Sequence, residues 1–133
     1  MDAKRILIVD DEANMCSIMQ DILMDEGYDV MVAENGSEAL QVVREITPDL
    51  IITDINMPCM GGLDLLREVK SHHPDVQFII MTGFGELETY LKAMHNGAFD
   101  YVTKPLNIEM LKLMVAKVLG QSRSFASAMF QEN

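Results

Sequence analysis

Polar side chains suited to chemistry stand at the ends of short apolar runs in this chain. Asp10, Asp11 and Glu12 come directly after Ile6-Leu7-Ile8-Val9, and Asp54 closely follows Leu50-Ile51-Ile52. Thr82 comes after Phe78-Ile79-Ile80-Met81, and Lys104 after Phe99-Asp100-Tyr101-Val102. Any one of these is ordinary, because loops are polar. The joint pattern says more. Two or three carboxylates brought within ~5 Å of one another cost roughly 3 kcal/mol per pair at an effective dielectric near 20. A fold tolerates that only where a proton, a metal cation or Lys104 offsets it. Oxygen donors without neighbouring His or Cys suit Mg²⁺. Such a set can move a phosphoryl group. Asp54 is the carboxylate nucleophile that would form an acyl phosphate, and a divalent ion would shield the incoming charge. Lys104 supplies a fixed positive charge, and the Thr82 hydroxyl can donate to a phosphoryl oxygen.

The elements that must position these groups are legible in the alternation of two patterns. Five apolar runs, the four above together with Val30-Met31-Val32, read mostly as strands covered on both faces. Segments of helical period lie between and after them. Met15, Ile18, Met19, Ile22 and Leu23 form the clearest. The others are Ala39-Leu40-Val43-Ile46, Leu63-Leu66-Val69, Leu87-Leu91-Met94 and Ile108-Leu111-Val115-Val118. Gly27 and Gly97 fall where helices want a left-handed C-terminal residue. Pro48-Asp49 and Pro74-Asp75 stop helices and lead into strands, and Ser37-Glu38 after Asn35-Gly36 reads as a turn into a helix start. Strands and helices alternating at this spacing imply right-handed crossovers and a parallel sheet with helices on both faces. Five units cannot close an eight-stranded barrel, so an open, doubly wound α/β sheet is expected. There, all strands deliver their C-terminal ends to one ligand-binding edge.

Composition bounds the partners. The 133 residues fit one domain, and 21 acidic against 10 basic residues give a net charge of -11. That balance argues against direct nucleic-acid binding and against an anionic membrane surface. Apolar runs no longer than four residues give no membrane helix and no secretory segment, so a cytoplasmic protein is expected, with Cys16 and Cys59 as free thiols. His72-His73 read as helix-end and solvent contacts rather than metal ligands, and the twelve Met as core filler.

From Lys4 to Leu119 the sequence resembles the receiver domain of two-component response regulators. The matching motifs are Ile8-Val9-Asp10-Asp11-Glu12, Asp54-Ile55-Asn56-Met57-Pro58 with Gly61-Gly62, Met81-Thr82-Gly83 and Tyr101-Val102-Thr103-Lys104-Pro105. The segment Gly97-Ala98-Phe99-Asp100-Tyr101 looks most like receivers of enhancer-binding transcriptional activators. The resemblance implies a flavodoxin-like (βα)₅ fold with strand order 2-1-3-4-5, a receiver domain over residues 1–120 and a tail or linker over 121–133. It implies that Asp54 accepts a phosphoryl group from a sensor histidine kinase. Asp10, Asp11, Asp54 and the backbone carbonyl of Asn56 would hold Mg²⁺, and Lys104 would contact the phosphoryl group. Thr82 and Tyr101 would be the switch pair, turning the surface formed by the fourth helix, fifth strand and fifth helix toward an effector domain, a downstream protein or a phosphorylation-dependent dimer. Tyr90, Met110 and Leu113 would face that partner. A cis Lys104-Pro105 bond is also expected. The chain would be no enzyme beyond its own phosphorylation and slow dephosphorylation.

Three other readings compete. Phosphohydrolases of the haloacid dehalogenase type also phosphorylate an Asp beside Mg²⁺, but their second Asp is Asn56 here, which cannot take a proton from water. A flavin module lacks its phosphate cradle, since Asp10-Asp11-Glu12 would repel a phosphate. An interaction module that is never phosphorylated is the third.

Overall fold

The computed structural model describes residues 3–57, 59–83 and 87–120. Five strands and five helices alternate: β1 (Arg5–Val9), α1 (Ala13–Asp25), β2 (Asp29–Ala33), α2 (Gly36–Glu45), β3 (Leu50–Asp54), α3 (Gly62–His72), β4 (Gln77–Thr82), α4 (Leu87–His95), β5 (Asp100–Thr103) and α5 (Ile108–Gly120). All pairings are parallel, and the sheet order is β2-β1-β3-β4-β5, as expected. The expected motif residue Pro58 and the tail 121–133, with its Phe125, Met129 and Phe130, lie outside the described residues.

The period of two within each strand decides which layer a residue serves. Ile6, Ile8, Leu50, Ile52, Ile79 and Met81 pack with Cys16, Met19 and Leu23 of α1 and Leu111, Val115 and Val118 of α5. Their alternates Leu7, Val9, Ile51, Phe78 and Ile80 pack with Ala39 and Val43 of α2, Leu65, Leu66 and Val69 of α3, and Ala93 of α4. The central strands are buried on both faces, which is why β1, β3 and β4 read as continuous apolar runs. The edge strands β2 and β5 are only partly buried.

Local punctuation fixes the helices. Gly27 and Gly97 have φ of 101° and 100°. Each closes the same two-bond C-cap, Gly27 N to Met24 O with Tyr28 N to Leu23 O, and Gly97 N to Met94 O with Ala98 N to Ala93 O. The α2 cap is Asn35, one turn-residue pair earlier than Ser37-Glu38 suggested. Its side chain accepts from Glu38 N at 2.8 Å, while Glu38 reaches back to Glu34 N at 3.3 Å.

Four helical stripes sit differently from their apolar pattern, that of α5 in that its first member, Ile108, is exposed. α1 buries Cys16, Met19 and Leu23, so Ile18, about 100° of arc from Met19, is turned out and 51% exposed. Leu91 of α4 is exposed because Ala93 takes the core position. Ile46 caps α2 in an extended conformation and is exposed. A small residue at the close-approach position can aim a helix in a way that apolar spacing does not show.

Candidate functional site

The strand order reverses between β1 and β3, and this is where the sheet opens a crevice at its C-terminal edge. Asp10 is the first residue past β1, and Asp54 is the last of β3. Val9 pairs with Thr53, so the next step along both strands sets the two aspartates side by side. Asp10 is fully buried and Asp54 nearly so, whereas Asp11 is exposed at the rim. One carboxylate oxygen from each of Asp10, Asp11 and Asp54 lies within 4.8 Å of the others.

Lys104 reaches in from the end of β5. Its Nζ donates to Asp54 Oδ2 at 2.9 Å and to Asp10 Oδ2 at 3.3 Å, and stands 3.7 Å from Glu12 Oε1. Its backbone N donates to Thr82 O at 2.8 Å, which ties the lysine to the end of β4. The Lys104-Pro105 bond is cis, as expected. Backbone amides complete the carboxylate contacts: Glu12 N donates to Asp10 Oδ1 at 3.0 Å, and Asn56 N to Asp54 Oδ1 at 3.2 Å.

The structure thus gathers Asp10, Asp11, Asp54 and Lys104 into one pocket, with Asn56 joined through its amide and Thr82 buried at the adjoining strand end. Tyr101 is not in that pocket. It pairs with Ile80 in register, on the face shared with α4, and its ring lies 4.3 Å from that of Tyr90 at a tilt of 53°. Tyr90 is therefore held by Tyr101 as well as being half-exposed, while Met110 and Leu113 are exposed. His72 sits 3.5 Å from Glu68 in a cleft of about 240 Å³ between α2 and α3, away from the acidic pocket.

Sequence reasoning matches Gly62 to a family motif but gives it no role at the site. A Cβ there would meet the carbonyl oxygen of Asp54 at 2.5 Å and Ile55 Cα at 2.9 Å, so α3 begins against the backbone of the central carboxylate. The Gly61-Gly62 pair was visible, but what it approaches was not. Cys16 and Thr53, both buried beside the pocket, were also passed over as site residues.

Burial raises the Asp10 carboxyl above the ordinary 3.8; the Glu12 amide and Lys104 oppose this, and the Asp54 charge adds to it. For Lys104, burial pulls downward, but the hydrogen bond and charge of Asp54, followed by Asp10, prevail and raise it. Burial pushes the Cys16 thiol up to about 11. A carboxyl raised by folding contributes stability below its unfolded value and loses it as pH rises through the folded one. At neutral pH the Asp10 charge is therefore a cost to the metal-free fold. Asp10→Asn is expected to raise the metal-free Tm by several degrees at pH 7, with the gain shrinking toward pH 4. Calorimetry in EDTA checks this, and a lowered Tm would contradict it.

Mg²⁺ takes oxygen ligands at about 2.0–2.1 Å, which places neighbouring ligand atoms about 3 Å and opposite ones about 4.2 Å apart. Three carboxylates whose oxygens already lie within 4.8 Å, with no His or Cys among them, fit that ion after small side-chain movements.

A parallel sheet with a carboxylate-lined switch point and a lysine aimed at it defines a phosphoryl-handling α/β domain. Residues 6–116 match the response regulator receiver domain, and the chain belongs to that family of phosphoacceptor signalling domains. It is 40% identical over 118 residues to the transcriptional regulatory protein ZraR of Klebsiella oxytoca, across 89% of this chain and 27% of that protein. It thus spans about a quarter of the length of the curated relatives it matches. Among solved structures, it is similar to a response regulator receiver domain protein from Clostridium thermocellum at 32% identity and a TM-score of 0.85, covering 92% of this chain and 98% of that one. The receiver domain of NtrX from Brucella abortus matches at 34% identity and a TM-score of 0.84, over 88% and 99%. These likenesses do not favour the hydrolase, flavin or unphosphorylated readings. Among the described residues, no helix is long and apolar enough to cross a membrane.

Proposed function

We propose that Asp54 is the phosphoacceptor of this receiver domain and that its charge state is read out through Thr82 and Tyr101. One observation carries the assignment: Asp54 is the nearly buried carboxylate at the C-terminal end of β3, 2.9 Å from Lys104 and within 4.8 Å of Asp10 and Asp11. A carboxylate oxygen of Asp54 attacks phosphorus of a phosphohistidine on a sensor kinase. The P–N bond breaks, its electron pair stays on the imidazole, and an acyl phosphate forms. Asp10, Asp11, Asp54 and the Asn56 carbonyl would hold Mg²⁺, which when bound shields charge and orients the group for in-line transfer. Lys104 moves from pairing with the Asp54 carboxylate to pairing with the phosphoryl oxygens that replace it. Asn56 stands where a second carboxylate would act as general base and cannot itself accept a proton from water, so the phosphoform persists.

Transmission uses the face on which Thr82 and Tyr101 lie. Ile80 pairs with Tyr101, so Thr82 lies one pleat further along β4 on the same face, toward the pocket. A hydroxyl drawn toward the phosphoryl group vacates space that the Tyr101 ring can fill, which breaks its contact with Tyr90. The output is a changed α4-β5-α5 surface bearing Leu91, Met110 and Leu113, read by an effector domain, a downstream protein or a second receiver. Residues 1–120 form the receiver, and 121–133 its tail or linker.

Beryllofluoride with Mg²⁺, a phosphoryl mimic, tests the whole reading. Amide resonances of Asp11, Asn56, Thr82 and Lys104 are expected to shift together with those of Tyr90 and Tyr101. Shifts absent from the pocket would overturn the acceptor assignment, and shifts confined to the pocket would overturn the readout.

A further inference from the structure

We propose that Cys16 and Thr53 are positioning residues of the acidic pocket, each holding the peptide plane of one buried aspartate through a hydrogen bond to its main-chain carbonyl. The inference rests on the Mg²⁺-assisted reading above. The Cys16 thiol donates to Asp10 O at 3.2 Å, and the Thr53 hydroxyl donates to Asp54 O at 3.0 Å. Both side chains are buried, as are both aspartates.

The carbonyl is the informative atom. Asp10 O belongs to the peptide plane that joins Asp10 to Asp11, so its orientation sets the relation between two of the three clustered carboxylates. Asp54 O belongs to the plane that leads through Ile55 to Asn56, whose amide holds Asp54 Oδ1. That same oxygen is the atom Gly62 approaches, so the plane is braced from two sides. At the β1–α1 junction the N-cap Glu12 makes no side-chain capping bond. The thiol of Cys16, one turn into α1, is thus a side-chain tether between the helix and the Asp10 backbone. An ion that demands near-octahedral oxygens at short distance is sensitive to small rotations of these planes.

Plain core filling is the competing role, and volume separates it from positioning. Cys16→Val and Thr53→Val keep the space filled but remove the donor; Cys16→Ser and Thr53→Ser keep a donor but lose bulk. Mg²⁺ binding is measured by calorimetry well below the Tm of each variant. The valine variants are expected to bind Mg²⁺ about three- to tenfold more weakly, and the serine variants within about twofold of wild type. Should Cys16→Val not fold, Cys16→Ala takes its place with the same expected weakening. Wild-type affinity in the donor-less variants overturns this inference alone, as does equal weakening in the serine variants. A wild-type chain that binds no Mg²⁺ overturns it together with the reading it rests on.

Discussion

Gly62→Ala is expected to destabilise the domain by about 2 kcal/mol and to slow phosphorylation by acetyl phosphate at least about tenfold. Helix propensity alone would favour alanine over glycine by up to ~1 kcal/mol. Overpacking opposes it at about 1–3 kcal/mol. The upper part of that range applies, because the added Cβ would meet backbone atoms, Asp54 O at 2.5 Å and Ile55 Cα at 2.9 Å, which have no rotamer to escape into. The relaxation available is movement of β3's end, which carries Asp54, and misplacing a reacting group by about 1 Å can cost 10²-fold in rate. Gly27→Ala is the control. It strains a residue at φ of 101° but meets nothing within 4 Å, far from the pocket. It is expected to lose about 1 kcal/mol with an unchanged phosphorylation rate. Thermal melts and initial rates on both variants check this. A Gly62→Ala protein that phosphorylates as fast as Gly27→Ala would contradict the close approach as a positioning device.

Lys104→Met is expected to lower the Tm at neutral pH by roughly 6–12 °C, for a loss of about 2–3 kcal/mol. Methionine keeps most of the apolar stem, so packing changes little. What disappears is the ammonium that meets Asp10, Glu12 and Asp54. Breaking a buried pair costs about 3–5 kcal/mol; the smaller figure here follows from the lysine's 23% exposure and from the proton that Asp10 can take up instead. The sign with pH is fixed. Without the cation the folded Asp10 carboxyl rises further above the ordinary value of 3.8, so the deficit is full at neutral pH and disappears as acidification protonates it. Mg²⁺ is expected to restore much of the lost Tm by taking over the charge. Melts between pH 7 and pH 4, with EDTA and with Mg²⁺, read out both effects. A deficit independent of pH and of the ion would show that the lysine serves packing rather than charge.

The parts of this protein legible in its sequence are those fixed by local periodicity. The short apolar runs read mostly as strands covered on both faces, and an open parallel sheet delivers the polar residues that follow them to one edge. That placed Asp10, Asp11, Asp54, Thr82 and Lys104 together before any coordinates. What stayed hidden depends on contacts between elements distant in sequence. Apolar spacing put Ile18 in the α1 stripe, yet the helix turns so that Cys16 fits the β1–α1 junction. Gly62 enters the sequence reading only as part of a family motif, and only the approach to Asp54 O shows it to be a steric requirement. The roles of Cys16 and Thr53 lie in single hydrogen bonds to main-chain oxygens, for which no spacing rule exists. Tyr101 was named through family resemblance, but its contact with Tyr90 needed the rotation of α4.

Intact mass after incubation with acetyl phosphate, for wild type and Asp54→Asn, with Mg²⁺ and with EDTA, is the most direct test. The expected result is the gain of a single phosphoryl group in the wild type, dependent on Mg²⁺ and mapping to the peptide that carries Asp54, with none in the variant. An equal gain in Asp54→Asn, or a gain indifferent to removal of the ion, would contradict the assignment of this pocket.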